Sequence, residues 1–181
     1  MTALPYQLVP IVSSDDLKTR LEGIVDDIRA LMPTDDLVVI ALLKGSFVFL
    51  ADLIRLLHRH HIAVEVDFMT LASYGEGTES KGVSVVKDIE TDIAGRPVLL
   101  VDDILDTGRT LKRAASILRE RAPLCVKTCV LLDKPERRIE QIRADIVGFT
   151  VPNTFVVGYG LDYARRHREL PFIARLEPEP A

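Results

Sequence analysis

The chain has 181 residues, of which 48% are apolar and 28% charged, and its formal net charge is −4. This composition excludes general disorder and suits one well-cored domain better than two. The acidic balance argues against a duplex-binding protein, which usually carries a basic excess, and no apolar run approaches the ~18 residues that span a bilayer.

Along the chain, the first twelve residues lack a basic n-region and are broken by Pro5 and Pro10. They are not expected to be a signal peptide, so the cytoplasm is the expected compartment. Ser13 and Ser14 ahead of Asp15 and Asp16 have the composition of a helix start. Leu17, Leu21, Ile24, Val25, Ile28 and Leu31 then recur at helical spacing until Pro33. Residues 37–43 form an unbroken apolar run, as expected for a strand buried on both faces. Lys44-Gly45-Ser46 interrupts it, and 47–57 predicts a helix. The next strand is expected over 62–71. Residues 74–82 hold three glycines among small polar residues, the composition of a mobile loop. Strand character resumes over 83–86, and Gly95-Arg96-Pro97 makes a turn. A second fully apolar strand is expected over 98–101, an amphipathic helix over 110–121, and further strands over 125–132, 146–150 and 154–157. The tail Glu177-Pro178-Glu179-Pro180 is expected to fray.

Strands that alternate with helices predict an α/β fold, a mostly parallel twisted sheet flanked by helices. Cys125 and Cys129, four apart on a strand, would be about 13 Å apart, beyond disulfide reach. Both are expected as small core residues. His58, His60 and His61 fall at an expected helix end, where cationic groups suit the dipole, and no acid or cysteine completes a metal spacing around them.

The most informative stretch is Val98-Leu99-Leu100-Val101-Asp102-Asp103-Ile104-Leu105-Asp106-Thr107-Gly108-Arg109-Thr110-Leu111. It reads as a buried strand ending in two carboxylates, then a turn with a third acid, two hydroxyls and a glycine, then a helix. Open α/β sheets bind ligands beyond the carboxyl ends of their strands. A helix start with free N–H groups, a glycine and hydroxyls suits one phosphate. The acids cannot share that phosphate, since like charges repel; they suit hydroxyls, a divalent metal or a proton. The ligand implied has a phosphate at one end and a polyol or metal at the other, as a phosphorylated ribose has. The stretch is neither a Walker loop nor G-x-G-x-x-G.

This stretch resembles the signature of the type I phosphoribosyltransferases, which use 5-phosphoribosyl 1-pyrophosphate. Between about 37 and 168 the chain resembles the branch that acts on hypoxanthine and guanine. The resemblance rests further on Leu42-Leu43-Lys44-Gly45-Ser46-Phe47, on Leu71-Ala72-Ser73-Tyr74, on Leu132-Asp133-Lys134, and on Phe155-Val156-Val157-Gly158-Tyr159-Gly160-Leu161-Asp162-Tyr163 with Arg168 following.

The resemblance implies a single domain over 1–181, with a core at about 34–150 and a small hood from about 1–13 and 151–176. It implies purine salvage: transfer of the phosphoribosyl group to N9 of hypoxanthine or guanine, giving IMP or GMP and pyrophosphate. Asp102 and Asp103 would hold the ribose hydroxyls and Mg²⁺. Asp106 would be the catalytic group near N7 of the purine and also lie against the ribose; its plainer reading is a cap on a helix starting at Thr107. Thr107, Gly108, Arg109 and Thr110 would cradle the 5′-phosphate. Lys44, Gly45 and Arg168 would bind pyrophosphate, and the Leu43–Lys44 bond is one that can be cis in this family. Ser73 and Tyr74 would head a lid that keeps water from a ribosyl cation-like state.

Lys134 would donate to the purine O6, which a ketone accepts and the amino group of adenine does not. Phe155 would stack on the base. Backbone groups at Val156 and Asp162 would read its other edge, and Asp162 would hold a second Mg²⁺. The implied partners are 5-phosphoribosyl 1-pyrophosphate and a 6-oxopurine, with neither nucleic acid nor membrane, in a dimer or tetramer of this chain. Two rival readings remain. One is a phosphoribosyl pyrophosphate-sensing regulator that binds nucleic acid, which the net charge disfavours. The other is a receiver-like phosphoryl-transfer domain, which does not account for 107–110 or Lys134.

Overall fold

The computed structural model describes residues 6–73 and 83–178. In chain order the elements are β1 (Tyr6–Val12), α1 (Ser14–Leu31), β2 (Leu37–Leu42), α2 (Phe47–Arg59), β3 (Val64–Ser73), β4 (Val83–Lys87), β5 (Pro97–Leu105), α3 (Arg109–Arg119), β6 (Cys125–Asp133), a 3₁₀ turn (Pro135–Arg137), β7 (Ile146–Thr150), β8 (Val156–Val157) and β9 (Ile173–Pro178).

Six strands form one sheet in the order β4-β3-β2-β5-β6-β7. β2, β3, β5, β6 and β7 run parallel, and only β4 is antiparallel, against β3. The apolar run of β2 is explained by its place at the sheet centre. Leu37, Val39 and Ala41 face one buried cluster, with Leu17, Leu21, Ile24 and Ile28 of α1 and Leu53 and Leu57 of α2. Val38, Ile40 and Leu42 face the other, with Leu111, Ala114 and Leu118 of α3. Helices thus cover both faces, as a parallel sheet requires. α1 begins at a capping box: Ser13 Oγ accepts the Asp16 N–H at 3.1 Å, and Asp16 Oδ2 accepts the Ser13 N–H at 3.3 Å.

A second sheet has the order β1-β9-β8, all antiparallel, and joins the two ends of the chain. Val12, Val156 and Ile173 of this sheet enter the same cluster as α1 and α2.

Several boundaries differ from the expectation. β5 does not stop at Val101 but runs through Asp102 and Asp103 to Leu105, because β6 pairs with it in parallel as far as Leu105↔Asp133. A ladder partner overrides the low strand propensity of aspartate. α3 begins at Arg109 and ends at Arg119, one residue earlier and two residues shorter than expected at its two ends. Glu177 and Pro178 do not fray: they pair with Gln7 and Tyr6. β1 and β9 carry no alternating pattern strong enough to predict them as strands. Both cysteines are free, Cys129 buried and Cys125 half-buried. Burial pushes the Cys129 thiol well above its ordinary range. Among the described residues no helix is long and apolar enough to cross a membrane.

Candidate active site

β2 and β5 are neighbours, yet β2 is followed by β3 on one side and β5 by β6 on the other. The connections diverge there, so a crevice opens beyond the carboxyl ends of β2 and β5. Two hollows fill it. One, of about 380 Å³, is lined by Lys44, Gly45, Asp102, Asp103, Asp106, Thr107, Gly108 and Thr110 among others. The second, of about 660 Å³, is lined by Lys134, Arg137, Thr154, Phe155, Val156, Asp162 and Arg168. Lys44, Gly45, Asp103, Ile104 and Asp106 belong to both, so the two are one cleft. A larger hollow of about 1120 Å³ lies against α1, α2 and β3 and holds none of the predicted site residues.

The floor begins where the peptide Leu43–Lys44 is cis. Gly45 follows it, and a Cβ there would lie 1.4 Å from Asp103 Oδ2. Glycine is needed because the carboxylate occupies the space of a side chain. Asp102 is 7% exposed and accepts the Asp103 N–H at 2.9 Å through Oδ1. Burial, then the neighbouring charge of Asp103, pushes the Asp102 carboxyl well up. Burial pushes Asp103 up too, with hydrogen bonds and the charge of Arg168 opposing. Among the described residues neither acid forms an ion pair within 4 Å, so this part of the floor suits a cation or hydroxyl donors.

The turn that follows is a left-handed one: Gly108 has φ +86 and caps α3. No side chain caps this helix, so Asp106 is not the cap that its position in the sequence allowed. The first N–H to bond back is that of Lys112, to the Gly108 carbonyl at 3.0 Å. Thr107, Gly108 and Thr110 line the cleft, whereas Arg109 is exposed and lines neither hollow. Its backbone N–H approaches Thr107 Oγ1 at 3.5 Å.

Asp106 instead accepts Arg137 Nε at 2.8 Å. Arg137 is a residue the sequence reading missed. The available signal was the run Lys134-Pro135-Glu136-Arg137-Arg138, in which a proline opens a short turn that folds back beside Lys134. Lys134 is 7% exposed, and its Nζ donates to the Thr154 carbonyl at 2.6 Å. Burial holds this ammonium below the ordinary lysine range, with Asp106 opposing the shift and Arg137 adding to it.

Across the cleft Phe155 is 54% exposed, an open aromatic face. The ring of Tyr163 meets it edge-on at 5.6 Å, Tyr6 meets Tyr163 at 5.4 Å, and the Tyr6 hydroxyl is hydrogen-bonded to His167 Nε2 at 2.8 Å. This chain of rings spans most of the sequence and was not legible in it. Val156 is buried behind Phe155. Asp162 pairs with Arg168 Nη2 at 2.6 Å and accepts the Arg165 N–H at 2.7 Å, while Arg168 Nη1 donates to the Gly160 carbonyl at 2.5 Å.

Asp102 and Asp103, expected at one Mg²⁺, lie together at the end of β5, whereas Asp162, expected at a second, pairs with Arg168 and the Arg165 amide. Among the described residues no three or more His, Cys, Asp or Glu side chains are grouped to hold a metal. This covers His58, His60 and His61, of which His60 pairs with Glu22 at 2.8 Å. Of the expected lid, Ser73 ends β3, and Tyr74 lies outside the described residues.

Comparison with known proteins agrees with this geometry. The family model of the phosphoribosyl transferase domain matches residues 13–164. The hypoxanthine-guanine phosphoribosyltransferase of Aquifex aeolicus (strain VF5) is 46% identical over 169 residues, covering 92% of this chain and 93% of that protein. The hypoxanthine phosphoribosyltransferase of Escherichia coli (strain K12) is 47% identical over 142 residues, 78% of each chain. Among solved structures, the hypoxanthine phosphoribosyltransferase of Trypanosoma cruzi in complex with the product IMP superposes with a TM-score of 0.86 at 37% identity, covering the whole of both chains. With the acid-bearing strand, the amide turn and every other residue named in the cleft except Arg168 inside the matched region, the chain belongs to the phosphoribosyltransferase family and is an enzyme of that family.

Proposed function

We propose that the chain serves purine salvage, transferring the 5-phosphoribosyl group of 5-phosphoribosyl 1-pyrophosphate to N9 of hypoxanthine or guanine, with IMP or GMP and pyrophosphate as products. One observation carries this reading: the amide turn, the paired acids and the Lys134–Phe155 hollow open into one another. A ligand with a phosphate, a ribose and a base therefore fits along a single path. The names of the relatives and the IMP-bound structure support the same assignment.

In this reading the 5′-phosphate lies on Thr107, Gly108, Thr110 and the Arg109 backbone. Asp102 and Asp103 take the ribose hydroxyls. The base lies against Phe155, with O6 toward Lys134 and its other edge toward backbone at Val156 and Asp162. Pyrophosphate leaves toward Lys44, Gly45 and Arg168, whose cations face charge that grows in the transition state. Asp106 takes up the N7 proton, and the Arg137 contact holds its carboxylate at the mouth of the base hollow. An amino group at C6 would meet Lys134 donor to donor. A buried donor left unpaired costs about 1–3 kcal/mol, enough to disfavour adenine.

Asp102, buried, and Asp103, half-buried, both without an ion-pair partner among the described residues, fit Mg²⁺. Mg²⁺ takes few carboxylates and otherwise water and substrate oxygens, and when bound supplies positive charge to the phosphates. Asp162 is read as the residue that aims Arg168. We read 1–181 as one domain acting in the cytoplasm as a dimer or tetramer. Light scattering that shows only monomer would remove the last point.

The test is nucleotide formation with hypoxanthine, guanine, xanthine and adenine, with and without Mg²⁺. Product with the 6-oxopurines and not with adenine is expected. No product with any of the four overturns the assignment.

A further inference from the structure

We propose that Arg138 is a positioning residue that holds the 107–110 turn open to phosphate by binding its carbonyl side from behind. The inference rests on the phosphate reading given above. Arg138 lies outside the cleft, and its side chain is 15% exposed. Its Nε donates to the Asp106 carbonyl at 3.0 Å, Nη2 to the Leu105 carbonyl at 3.1 Å, and Nη1 to the Ile142 carbonyl at 2.7 Å. Nη2 also pairs with the Asp133 carboxylate. Four of the five guanidinium N–H groups are thus engaged.

The next two residues continue the pattern: the N–H groups of Ile139 and Glu140 both donate to the Thr107 carbonyl at 3.0 Å. Three successive carbonyls, 105 to 107, are therefore held on one side by residues 138–140. A trans peptide points its N–H opposite to its C=O. The N–H groups of Asp106, Thr107 and Gly108 must then point away from Arg138, and they donate to no partner among the described residues. The cleft lies at that turn. The backing also presses close, for a Cβ on Gly108 would come within 2.6 Å of Ile142 and 3.1 Å of Arg138.

The geometry separates shape from charge. The Arg138 cation is matched by Asp133, so its direct pull on a phosphate across the turn is largely spent. What it supplies is a planar fork reaching carbonyls in different directions, which a lysine ammonium cannot do from a single nitrogen.

The experiment compares the affinities of the full chain for IMP and inosine by calorimetry, in the wild type, Arg138→Lys and Arg138→Met, with the melting temperature of each. Loss of the backing should weaken IMP by about 10–100-fold in both variants, since an ångström of misplacement in a preorganised site has effects of this size. Inosine, which has no phosphate, should change less than about twofold. Arg138→Lys carries the test should Arg138→Met fail to fold. The proposal falls should Arg138→Lys bind IMP as the wild type does, or should IMP and inosine weaken by the same factor, as a merely structural role predicts. A wild type that does not prefer IMP to inosine removes the phosphate site itself, and both readings fall together. A wild-type preference that Arg138→Lys retains overturns the Arg138 inference alone.

Discussion

The floor and the roof of the cleft are built by different means. The floor is made of the carboxyl ends of β2 and β5, and its acids lie within a strand that β2 pairs as far as Val101 and β6 as far as Leu105. Residues 98–111 need almost no partner outside their own strand, turn and helix to be read. The roof is irregular chain between β8 and β9, where Tyr159, Ala164, Arg165 and His167 all have positive φ. Discrete contacts hold it, two of them over long sequence distances: Tyr159 Oη donates to Asp52 Oδ2 on α2 at 2.5 Å and Tyr6 meets Tyr163, while Arg168 pairs with Asp162 within the loop. Burial, then the Asp52 hydrogen bond, pushes the Tyr159 phenol well up, so it remains a donor. The difference teaches where the chemistry can be rigid. The floor moves only with the sheet, while the roof depends on contacts that single substitutions remove. Changes in the floor should alter turnover, and changes in the roof should alter affinity.

The largest effect is expected at Asp106. Asp106→Asn removes the proton acceptor and should lower kcat by about 10²–10⁴-fold at unchanged melting temperature. A wild-type kcat would leave Asp106 with only its Arg137 contact. Next is Lys134→Met, which should lower kcat/KM for hypoxanthine by about 10–100-fold, equivalent to about 1–3 kcal/mol, and narrow the gap to adenine; a competition assay with both bases reads it directly.

Gly45→Ala sharpens the comparison, because it changes the floor without adding or removing a charge. Its Cβ must displace the Asp103 carboxylate, so kcat should fall about tenfold. Wild-type kinetics would show that Asp103 need not occupy its observed place. Tyr159→Phe probes the roof and should raise KM a few-fold through the loss of about 1 kcal/mol, with kcat retained. A fall in kcat alone would break the division between floor and roof.

The smallest effect lies in the sheet away from the cleft. Burial would raise the Asp145 carboxyl, but hydrogen bonds from the Thr128 N–H and Oγ1, both at 2.8 Å, together with Lys127, hold it below the ordinary carboxylate range. A depressed native pKa contributes stability above the unfolded pKa of about 3.9, and that stability is lost as pH falls through the native value. Asp145→Asn should therefore be less stable than wild type at pH 7 in urea unfolding, and the gap should narrow toward pH 3. A gap that does not change with pH would deny Asp145 this role.

The legible parts of the site share one property: their meaning is complete within a short stretch of chain. Asp102 to Thr110 announce two ligand chemistries because strand, turn and helix are contiguous. The parts that were not legible depend on a neighbour. Nothing local to Arg138 says that two carbonyls some thirty residues upstream will face it, and nothing local to Phe155 says that Tyr163 and Tyr6 will back it. The reading of β5 erred for the same reason, since local propensity ends a strand at two aspartates and only the β6 ladder carries it on to Leu105.

By itself the amino-acid sequence determined the alternating elements, the doubly buried strands and the acid-and-amide motif, since periodicity and short-range backbone chemistry act between residues near in the chain. The tertiary structure alone decided which carboxylates stand free, that Asp106 faces Arg137 rather than capping α3, and that the two chain ends close into one sheet. Those outcomes are set by which distant groups arrive within hydrogen-bonding distance, and that follows from packing the whole chain.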